Sequence, residues 1–364
     1  MTVSNKKKTI LVAMSGGVDS SVAALLLKKQ GYNVIGAFMK NFSDTKNPIT
    51  GECSYIEDQK MARKISAILD IPLITLDSEK EFKKQVINYM FKSYSNNLTP
   101  NPDILCNKTI KFPLLWKEAK RLKINYIATG HYAKIKKTKS GFQLYEGKDK
   151  AKDQSYFLSQ LAQNDLSRTL FPLGNMKKTK VRKIAKKNNL PNYNKKSTTG
   201  ICFVGKVNIK SFLEKKIKNK KGKILDINNN IIGYHPGIMY STIGQRVGSR
   251  LGFQITKKIN EKLYVAEKKK PNTMIIAPKN HPLLKRQIIK IKAVHLINPK
   301  EKISKNLKAR IRHLGNLYQG KLIKKNKSYY FKFTRPIEAI AEGQFIVLHD
   351  KDKIIGGGEI RYLL

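Results

Sequence analysis

Short apolar runs and amphipathic stretches alternate along the first 130 residues of the chain. Thr9–Met14 and Asn33–Met39 are apolar runs rich in β-branched residues, which predicts two strands. Between them, Ser20–Gln30 has apolar residues at helical spacing and stops before Gly31. The same rhythm predicts these further elements: a helix at Asp58–Leu69, a strand at Pro72–Leu76, helices at Glu79–Ser95 and Lys108–Leu122, and a strand at Tyr126–Thr129. This order predicts an α/β fold with a doubly wound, Rossmann-like parallel sheet, whose ligands bind beyond the carboxyl ends of the strands.

The pattern changes near residue 206. Glycines then separate short apolar runs with little helical periodicity, and after about residue 275 polar and apolar positions alternate. The alternating segments predict antiparallel strands at Gln287–Val294, Ala309–His313, Tyr329–Phe333 and Gln344–Leu348. We therefore predict an α/β domain over residues 1–205, a small central domain over 206–274 and a C-terminal antiparallel β-barrel over 275–364.

Composition narrows the class of protein. The chain has 364 residues, 40% of them hydrophobic, which fits a folded protein of two or three domains. No apolar run approaches the roughly 20 residues that span a bilayer, and the run Ile10–Met14 is too short for the core of a signal peptide. We therefore expect a cytoplasmic protein with no membrane partner.

The chain carries a formal net charge of +48. Such an excess favours a polyanionic partner, because neutralising phosphates releases counterions. Lysine far outnumbers arginine, however, and codon bias in an AT-rich genome would also place lysines on any solvated surface. Nucleic acid is the favoured partner on charge, and a membrane surface is disfavoured because the lysines are spread along the whole chain.

Three cysteines are present, which is too few for a disulfide scaffold, and their spacing matches no zinc motif. Isolated cysteines are usually structural unless their surroundings give them reactivity. Cys53 is interpreted as structural, whereas Cys106 and Cys202 fall in segments with other unusual features.

The sequence Ser15-Gly16-Gly17-Val18-Asp19-Ser20-Ser21 follows the first predicted strand and opens the first predicted helix. Two glycines let the backbone approach an anion, and free N–H groups at the start of a helix attract phosphate. Asp19 could hold the Mg²⁺ that accompanies a nucleotide. The segment lacks the Walker pattern, so no lysine within it lies over the outer phosphates.

This string resembles the PP-loop of ATP pyrophosphatases, which adenylate an oxygen so that it can be displaced. The remaining motifs resemble the bacterial tRNA-specific 2-thiouridylases, and they occur in the same order from end to end. They are Gly36–Asn41, Thr99–Asn107, Ala128–Tyr132, Lys152–Leu158, Gly200–Phe203, Gly244–Arg246, Gly343-Gln344 and Gly356–Gly358.

The resemblance implies an ATP site with Mg²⁺. Its expected ATP-binding residues are Ala13, Met14, Ser15, Gly16, Gly17, Val18, Asp19, Ser20, Met39 and Gly130. Met39 would pack on the adenine, and Gly130 would contact ATP through its backbone.

The resemblance also implies the catalytic residues Cys106, Cys202 and Asp103, with Asn101, Pro102 and Asp103 at the target base. The prolines of Thr99–Pro102 restrict the backbone, so this segment is expected to present its neighbours in a fixed geometry. Cys106 is expected just before a helix that starts at Lys108, where the helix dipole favours a thiolate.

In the implied reaction, ATP adenylates the C2 oxygen of an anticodon wobble uridine, and AMP and pyrophosphate are released. Persulfide sulfur on Cys202 then attacks C2, and Cys106 resolves the intermediate as a Cys106–Cys202 disulfide. Alternatively, Cys106 first reduces the persulfide and releases hydrosulfide. The implied partners are a sulfur-relay protein and the tRNAs for lysine, glutamate and glutamine.

The expected tRNA contacts are Lys152, Asp153 and Gln154 in one motif and Arg310, Ile311 and Arg312 in another. Ile311 replaces the family's usual tyrosine, so a contact to RNA is expected to be lost there. Ser197-Thr198 stand where the family has Asp-Ser, which removes a carboxylate near Cys202. Two alternatives stay open: another PP-loop adenylating ligase, which needs no cysteine pair, and a basic RNA-binding protein without turnover.

Overall fold

A computed structural model describes residues 8–43, 54–196, 209–248, 252–256 and 261–363. Within these ranges no helix is long and apolar enough to cross a membrane. Cys53, Cys202 and Ser197-Thr198 lie outside the described residues.

The first domain is built on a five-stranded parallel sheet in the order β3-β2-β1-β4-β7. The strands of this domain are β1 (Thr9–Ala13), β2 (Asn33–Lys40), β3 (Leu73–Asp77), β4 (Tyr126–Ala128), the hairpin β5 (Ala133–Thr138) and β6 (Gly141–Glu146), and β7 (Thr169–Leu170). Ile10 and Leu11 of β1 are both fully buried but belong to two different apolar clusters. Both faces of the sheet are therefore covered, which confirms the predicted α/β class.

The helices of the described chain are α1 (Val18–Lys29), α2 (Ser54–Ile68), α3 (Glu79–Phe82), α4 (Asn88–Ser95), α5 (Pro102–Cys106), α6 (Phe112–Arg121), α7 (Gln163–Ser167), α8 (Lys178–Lys187) and α9 (Ile209–Glu214). A π-helical turn over Lys83–Ile87 joins α3 to α4, and another over Asn107–Lys111 joins α5 to α6. Residues 79–95 and 102–121 are thus two helical stretches, each with an internal π turn.

The prediction that a helix starts at Lys108, after Cys106, was wrong. The helical stretch begins at Pro102, because the Asn101 side chain accepts a hydrogen bond from the backbone N–H of Ile104 at 3.1 Å and caps it. Proline at the first helical position is favourable, since its missing N–H has no intrahelical partner there. Asn101-Pro102 therefore forms an N-terminal signal, and Cys106 lies inside the helix.

The central domain contains a five-stranded sheet in the order β10-β9-β8-β12-β11. Its strands are β8 (Gly222–Leu225), β9 (Ile231–His235), β10 (Gln254–Ile255), β11 (Leu263–Lys269) and β12 (Thr273–Pro278). The boundary predicted after residue 274 falls inside β12, whose two ends both pair within this sheet. Residues up to 278 therefore belong to the central sheet.

The C-terminal domain is a closed antiparallel barrel of six strands in the order β13-β16-β15-β14-β17-β18, with β18 pairing back to β13. Its strands are β13 (Lys285–Leu296), β14 (Leu307–Arg310), β15 (Tyr318–Lys325), β16 (Ser328–Glu338), β17 (Phe345–Asp350) and β18 (Lys353–Arg361). The predicted C-terminal barrel is confirmed.

The barrel is attached to the first domain by strand pairing as well as by side-chain packing. The first two residues of β18 pair with β6 of the β5–β6 hairpin, so the barrel sheet continues into the first domain. Val347 and Ile354 of the barrel share an apolar cluster with Leu11 and Ile127 of the parallel sheet. The two domains therefore share a core, and the barrel is held in place beside the sheet.

Candidate active site

The segment between β1 and α1 forms a glycine turn at the carboxyl edge of the sheet. Gly16 has a φ of +71°, and a Cβ built there would lie 2.3 Å from the backbone oxygen of Asp58. A side chain at position 16 is therefore excluded by both conformation and space. Helix α1 begins at Val18 with Gly17 as its N-cap, and its first N–H groups face the turn, as in helix-terminal phosphate sites.

The other predicted nucleotide contacts flank this turn. Met39 lies in β2 and Gly130 lies two residues after the end of β4, and these two strands are the neighbours of β1 in the sheet. A Cβ at Gly130 would lie 2.7 Å from the backbone nitrogen of Ser20, so this glycine packs against the start of α1. Met14 is 1% exposed, while Met39 is half-buried and accessible. The structure thus gathers the predicted ATP-binding residues at one edge.

Asp19 forms an ion pair with a buried lysine, and the sequence did not reveal this pair. Lys178 Nζ lies 2.6 Å from both carboxylate oxygens of Asp19, and the hydroxyl of Tyr132 donates to one of them at 2.7 Å. Burial lowers the pKa of Lys178, and Asp19 opposes that effect. Lys178 is the first residue of α8, which contains five lysines. The sequence of this helix therefore did not distinguish Lys178 from the other four lysines.

A single carboxylate fits a nucleotide-bound Mg²⁺, since this ion usually keeps several waters and takes its other ligands from phosphates. In the described parts of the chain, no group of three or more His, Cys, Asp and Glu side chains could hold a metal by itself. Asp19 is compatible with binding the Mg²⁺ of an ATP complex, provided that Lys178 stops donating to one of the two Asp19 carboxylate oxygens.

The N-terminus of the α5–α6 helical stretch carries the predicted catalytic loop. Because this helix leads into the amino end of β4, its N-terminus points toward the carboxyl edge, where the glycine turn lies. Asp103 is partly exposed at the start of α5, and Asn101 is held by its capping bond. Cys106 is 2% exposed and packs with Phe82 and Phe212 in an apolar cluster.

The predicted catalytic loop is contacted by both other domains. The backbone N–H of Thr99 donates to Glu342 O at 2.8 Å, and Gln344 Nε2 donates to Pro100 O at 3.2 Å. The amide of Asn101 donates to Gln344 Oε1 at 3.3 Å. From the central domain, the hydroxyl of Thr242 lies 3.2 Å from that of Thr99. The barrel turn at residues 342–344 therefore fixes the loop that precedes Cys106.

One short segment connects the glycine turn to the helical stretch that contains Cys106. Gln154 makes two hydrogen bonds to the backbone of Tyr132, whose hydroxyl reaches Asp19. Three residues further on, the backbone oxygen of Phe157 accepts from the Asn107 side chain at 3.3 Å. Residues 154–157 therefore lie between the two predicted reaction centres.

Cys202 lies outside the described residues, but the chain on each side of it is anchored. Before it, Asn192 Nδ2 donates to Gly16 O at 3.1 Å, and Lys195 pairs with Asp58 at 2.6 Å. After it, Phe212 of α9 packs in the apolar cluster of Cys106. The described chain before residue 197 therefore contacts the glycine turn, and the described chain after residue 208 packs in the cluster of Cys106.

The predicted tRNA contacts divide into exposed and buried residues. Lys152 and Arg312 are exposed. Asp153 is fully buried, and its carboxylate accepts from Arg310 at 3.3 Å and from the Ser155 hydroxyl at 2.8 Å. Arg310 also contacts Glu146 at 3.1 Å and is 9% exposed, while Ile311 is 4% exposed and belongs to the barrel core. Arg310 and Asp153 thus bind each other across the domain junction.

The fold and the glycine turn define a nucleotide-binding α/β domain joined to two β domains, and the comparisons agree with this class. The description "tRNA methyl transferase HUP domain" matches residues 8–206, the family's PRC-barrel domain matches residues 210–278, and its aminomethyltransferase β-barrel domain matches residues 286–360.

Curated relatives give the particular family. The chain is 41% identical to the tRNA-specific 2-thiouridylase MnmA of Karelsulcia muelleri, covering 98% of this chain and 99% of that protein. It is 41% identical to MnmA 1 of Geobacillus kaustophilus and 42% identical to MnmA of Mycoplasmopsis synoviae, in each case over 98% of this chain and 96% of the relative. The chain belongs to the family of tRNA-specific 2-thiouridylases.

Proposed function

We propose that this protein is an ATP-dependent tRNA-uridine 2-sulfurtransferase that acts on the wobble uridine of the anticodon. The observation that supports this most strongly is the connection of the glycine turn to the Cys106 helix through residues 154–157. An enzyme that adenylates a base and then places sulfur on the same carbon needs both centres at one bound nucleotide, because the activated base must not be released to water.

In the first step, the C2 oxygen of uridine attacks the α-phosphorus of ATP, and pyrophosphate leaves. The N-terminus of α1 and the glycine turn bind the phosphates, and Asp19 would hold Mg²⁺, which would neutralise part of the phosphate charge. Asn101, Pro102 and Asp103 hold the base, and Asp103 accepts the proton that the uridine N3 loses as its oxygen is adenylated. The C2 oxygen is then bonded to AMP, which becomes the leaving group of the second step.

In the second step, the terminal sulfur of a Cys202 persulfide attacks C2 and displaces AMP. Cys106 then attacks the Cys202 sulfur, which breaks the sulfur–sulfur bond, leaves 2-thiouridine and joins the two cysteines as a disulfide. A reductant later restores both thiols. In the alternative order, Cys106 attacks the persulfide first, and the released hydrosulfide attacks C2. The anchored flanks of the Cys202 segment support either order, since both require Cys202 to reach Cys106.

The substrate is a tRNA, with the lysine, glutamate and glutamine tRNAs as the expected set, and a sulfur-relay protein supplies the persulfide in the cytoplasm. Lys152 and Arg312 are exposed and available for phosphate contacts. Asp153 and Arg310 serve this surface indirectly, because their ion pair fixes the loop of Lys152 to the barrel. An anticodon base is suited to such a site, since single-stranded bases turn out of the stack at modest cost.

The test is incubation of the full chain with ATP, Mg²⁺, tRNA and a persulfide donor, followed by mass spectrometry of the digested nucleosides. We expect 2-thiouridine, together with AMP and pyrophosphate in equal amounts. ADP as the nucleotide product would overturn the adenylation step. Binding of tRNA with no nucleotide turnover would instead support the alternative of a basic RNA-binding protein.

A further inference from the structure

Lys178 differs from the other lysines of its helix in being buried. Its side chain is 10% exposed, whereas Lys183 of the same helix is exposed. The backbone N–H of Lys178 donates to the Asp149 carboxylate at 2.8 Å, which fixes the first turn of α8. The ammonium group therefore has a defined position beside the glycine turn, rather than the many positions that a solvated lysine samples.

The charges around Lys178 favour an anionic ligand. Two cationic side chains, Arg182 and Lys152, act on its ammonium group in addition to Asp19, and the Asp149 carboxylate is occupied by the backbone N–H of Lys178. Asp19 itself is one-third exposed, so the pair is open to solvent on the carboxylate side. An anion that enters from there meets the N-terminus of α1 and a buried ammonium together.

The proposed adenylation creates a requirement that the glycine turn does not meet alone. Negative charge develops on the oxygen that bridges the α- and β-phosphates as pyrophosphate leaves, and a fixed cation stabilises such charge strongly in a dry site. The Ser15–Ser21 string contains no lysine. Lys178, more than 150 residues later in the chain, brings an ammonium group to the same place.

We propose that Lys178 is a catalytic residue that binds the pyrophosphate portion of ATP, and that Asp19 holds it in position before the nucleotide arrives. This inference rests on the proposed function, because it assigns a residue to the adenylation step. When phosphate enters, Lys178 Nζ donates to a phosphate oxygen, and Asp19 has a carboxylate oxygen free for Mg²⁺. A purely structural pair is the competing interpretation, in which Lys178 does no more than neutralise Asp19.

Calorimetric titration of the full chain with pyrophosphate in a chelating buffer tests the contact without any metal. Lys178→Gln should weaken pyrophosphate binding about 10- to 100-fold, the usual range for losing a charge-assisted hydrogen bond. AMP binding should change less than about twofold, since AMP lacks the leaving group. Lys183→Gln is the matched control on the exposed side of the same helix, and it should leave both affinities unchanged.

A double variant separates the two interpretations. If Lys178 contacts pyrophosphate, Asp19→Asn/Lys178→Gln binds it at least about 10-fold more weakly than Asp19→Asn and the wild type do, because the ammonium contact is lost even when Asp19 carries no charge. If Lys178 serves only to neutralise Asp19, the double variant recovers wild-type affinity, and the proposal is overturned. A wild-type chain that binds neither ATP nor pyrophosphate would overturn the proposed function itself. Thermal melts of each variant show whether the fold is retained.

Discussion

Two regions of the molecule contain carboxylates paired with buried cations, and they differ in what surrounds the pair. At the edge of the parallel sheet, Lys178 is buried but its partner Asp19 is one-third exposed. At the junction with the barrel, Arg310 is 11% exposed in its side chain, and its partners Glu146 and Asp153 are at most 5% exposed.

Because of this difference in exposure, we interpret the Lys178–Asp19 pair as part of a ligand site and the Arg310 pair as a structural connection between domains. When one member of an ion pair is exposed to solvent, a ligand can reach the pair and replace that member as the partner of the buried group. A pair enclosed on all sides can do so only by leaving a charge buried and uncompensated, which is costly. We therefore expect changes at the sheet edge to remove activity and spare the fold, and changes at the junction to do the reverse.

The largest expected effect is that of replacing Cys106 or Cys202, the two predicted catalytic cysteines. Cys106→Ser and Cys202→Ser should each lower sulfur transfer by at least about 1,000-fold, because an alcohol cannot replace a thiolate in exchange with a persulfide. Formation of AMP and pyrophosphate should persist in both variants, since the glycine turn and Asp103 act without a thiol. Nucleoside mass spectrometry and pyrophosphate release measure the two steps separately.

Cys53→Ser is the matched control for the cysteine variants and should retain nearly full activity. After one turnover without reductant, non-reducing peptide mapping should find Cys106 linked to Cys202. Full activity in Cys202→Ser, or a disulfide that contains Cys53, would contradict the assignment. Because Cys106 is 2% exposed, its alkylation in the resting protein should be slow, and faster alkylation with bound tRNA would show that the site opens.

At the junction, Arg310→Met should destabilise the protein by about 3–5 kcal/mol, because it leaves Asp153 buried without its cation and Glu146 with only the exposed Lys150 as a cationic partner. The measurement is the urea midpoint of unfolding, followed by tryptophan and tyrosine fluorescence, and we expect it to be lowered. A triple variant with Glu146→Gln and Asp153→Asn should recover part of this loss. An Arg310→Met protein of wild-type stability that fails to bind tRNA would instead make Arg310 a direct RNA contact.

The same junction should make stability depend on pH through His349. This residue is fully buried beside Glu146 and Arg310, and burial lowers its pKa below 6.5. Since the folded state excludes a proton that the unfolded state binds, stability is fully present above pH 6.5 and is lost as the pH falls below it. One such group contributes at most about 1.4 kcal/mol per pH unit.

His349→Gln provides the comparison for this pH dependence. Urea unfolding between pH 7.5 and 5.5 should show a shallower loss of stability in the variant than in the wild type. If stability falls equally steeply with pH in the two proteins, a group other than His349 causes the pH dependence. His313 is one such group, since burial also lowers its pKa.

The sequence predicted the architecture and the glycine turn well because their signals are local. Strand and helix periodicities lie within ten or fifteen residues, and Gly16 meets a conformational need that no other residue meets as easily. Lys178 and the burial of Arg310 were missed because they depend on pairing across more than 150 residues. The helix start at Asn101-Pro102 was different, since its capping signal was present in the sequence and was interpreted as a rigid turn.

The smallest expected effect concerns the exposed side of the barrel motif. Arg312→Gln should leave the urea midpoint unchanged and reduce the slope of log tRNA affinity against log salt concentration by about one unit, the loss of one phosphate contact. Lys321→Gln, on an exposed position of β15, is the control, since most of the 73 basic residues are expected to be solvated bystanders. Filter binding over 50–200 mM salt gives both slopes. If both variants keep the wild-type slope, the barrel contributes no phosphate contact at position 312, and the net charge of +48 attracts tRNA only as a diffuse field.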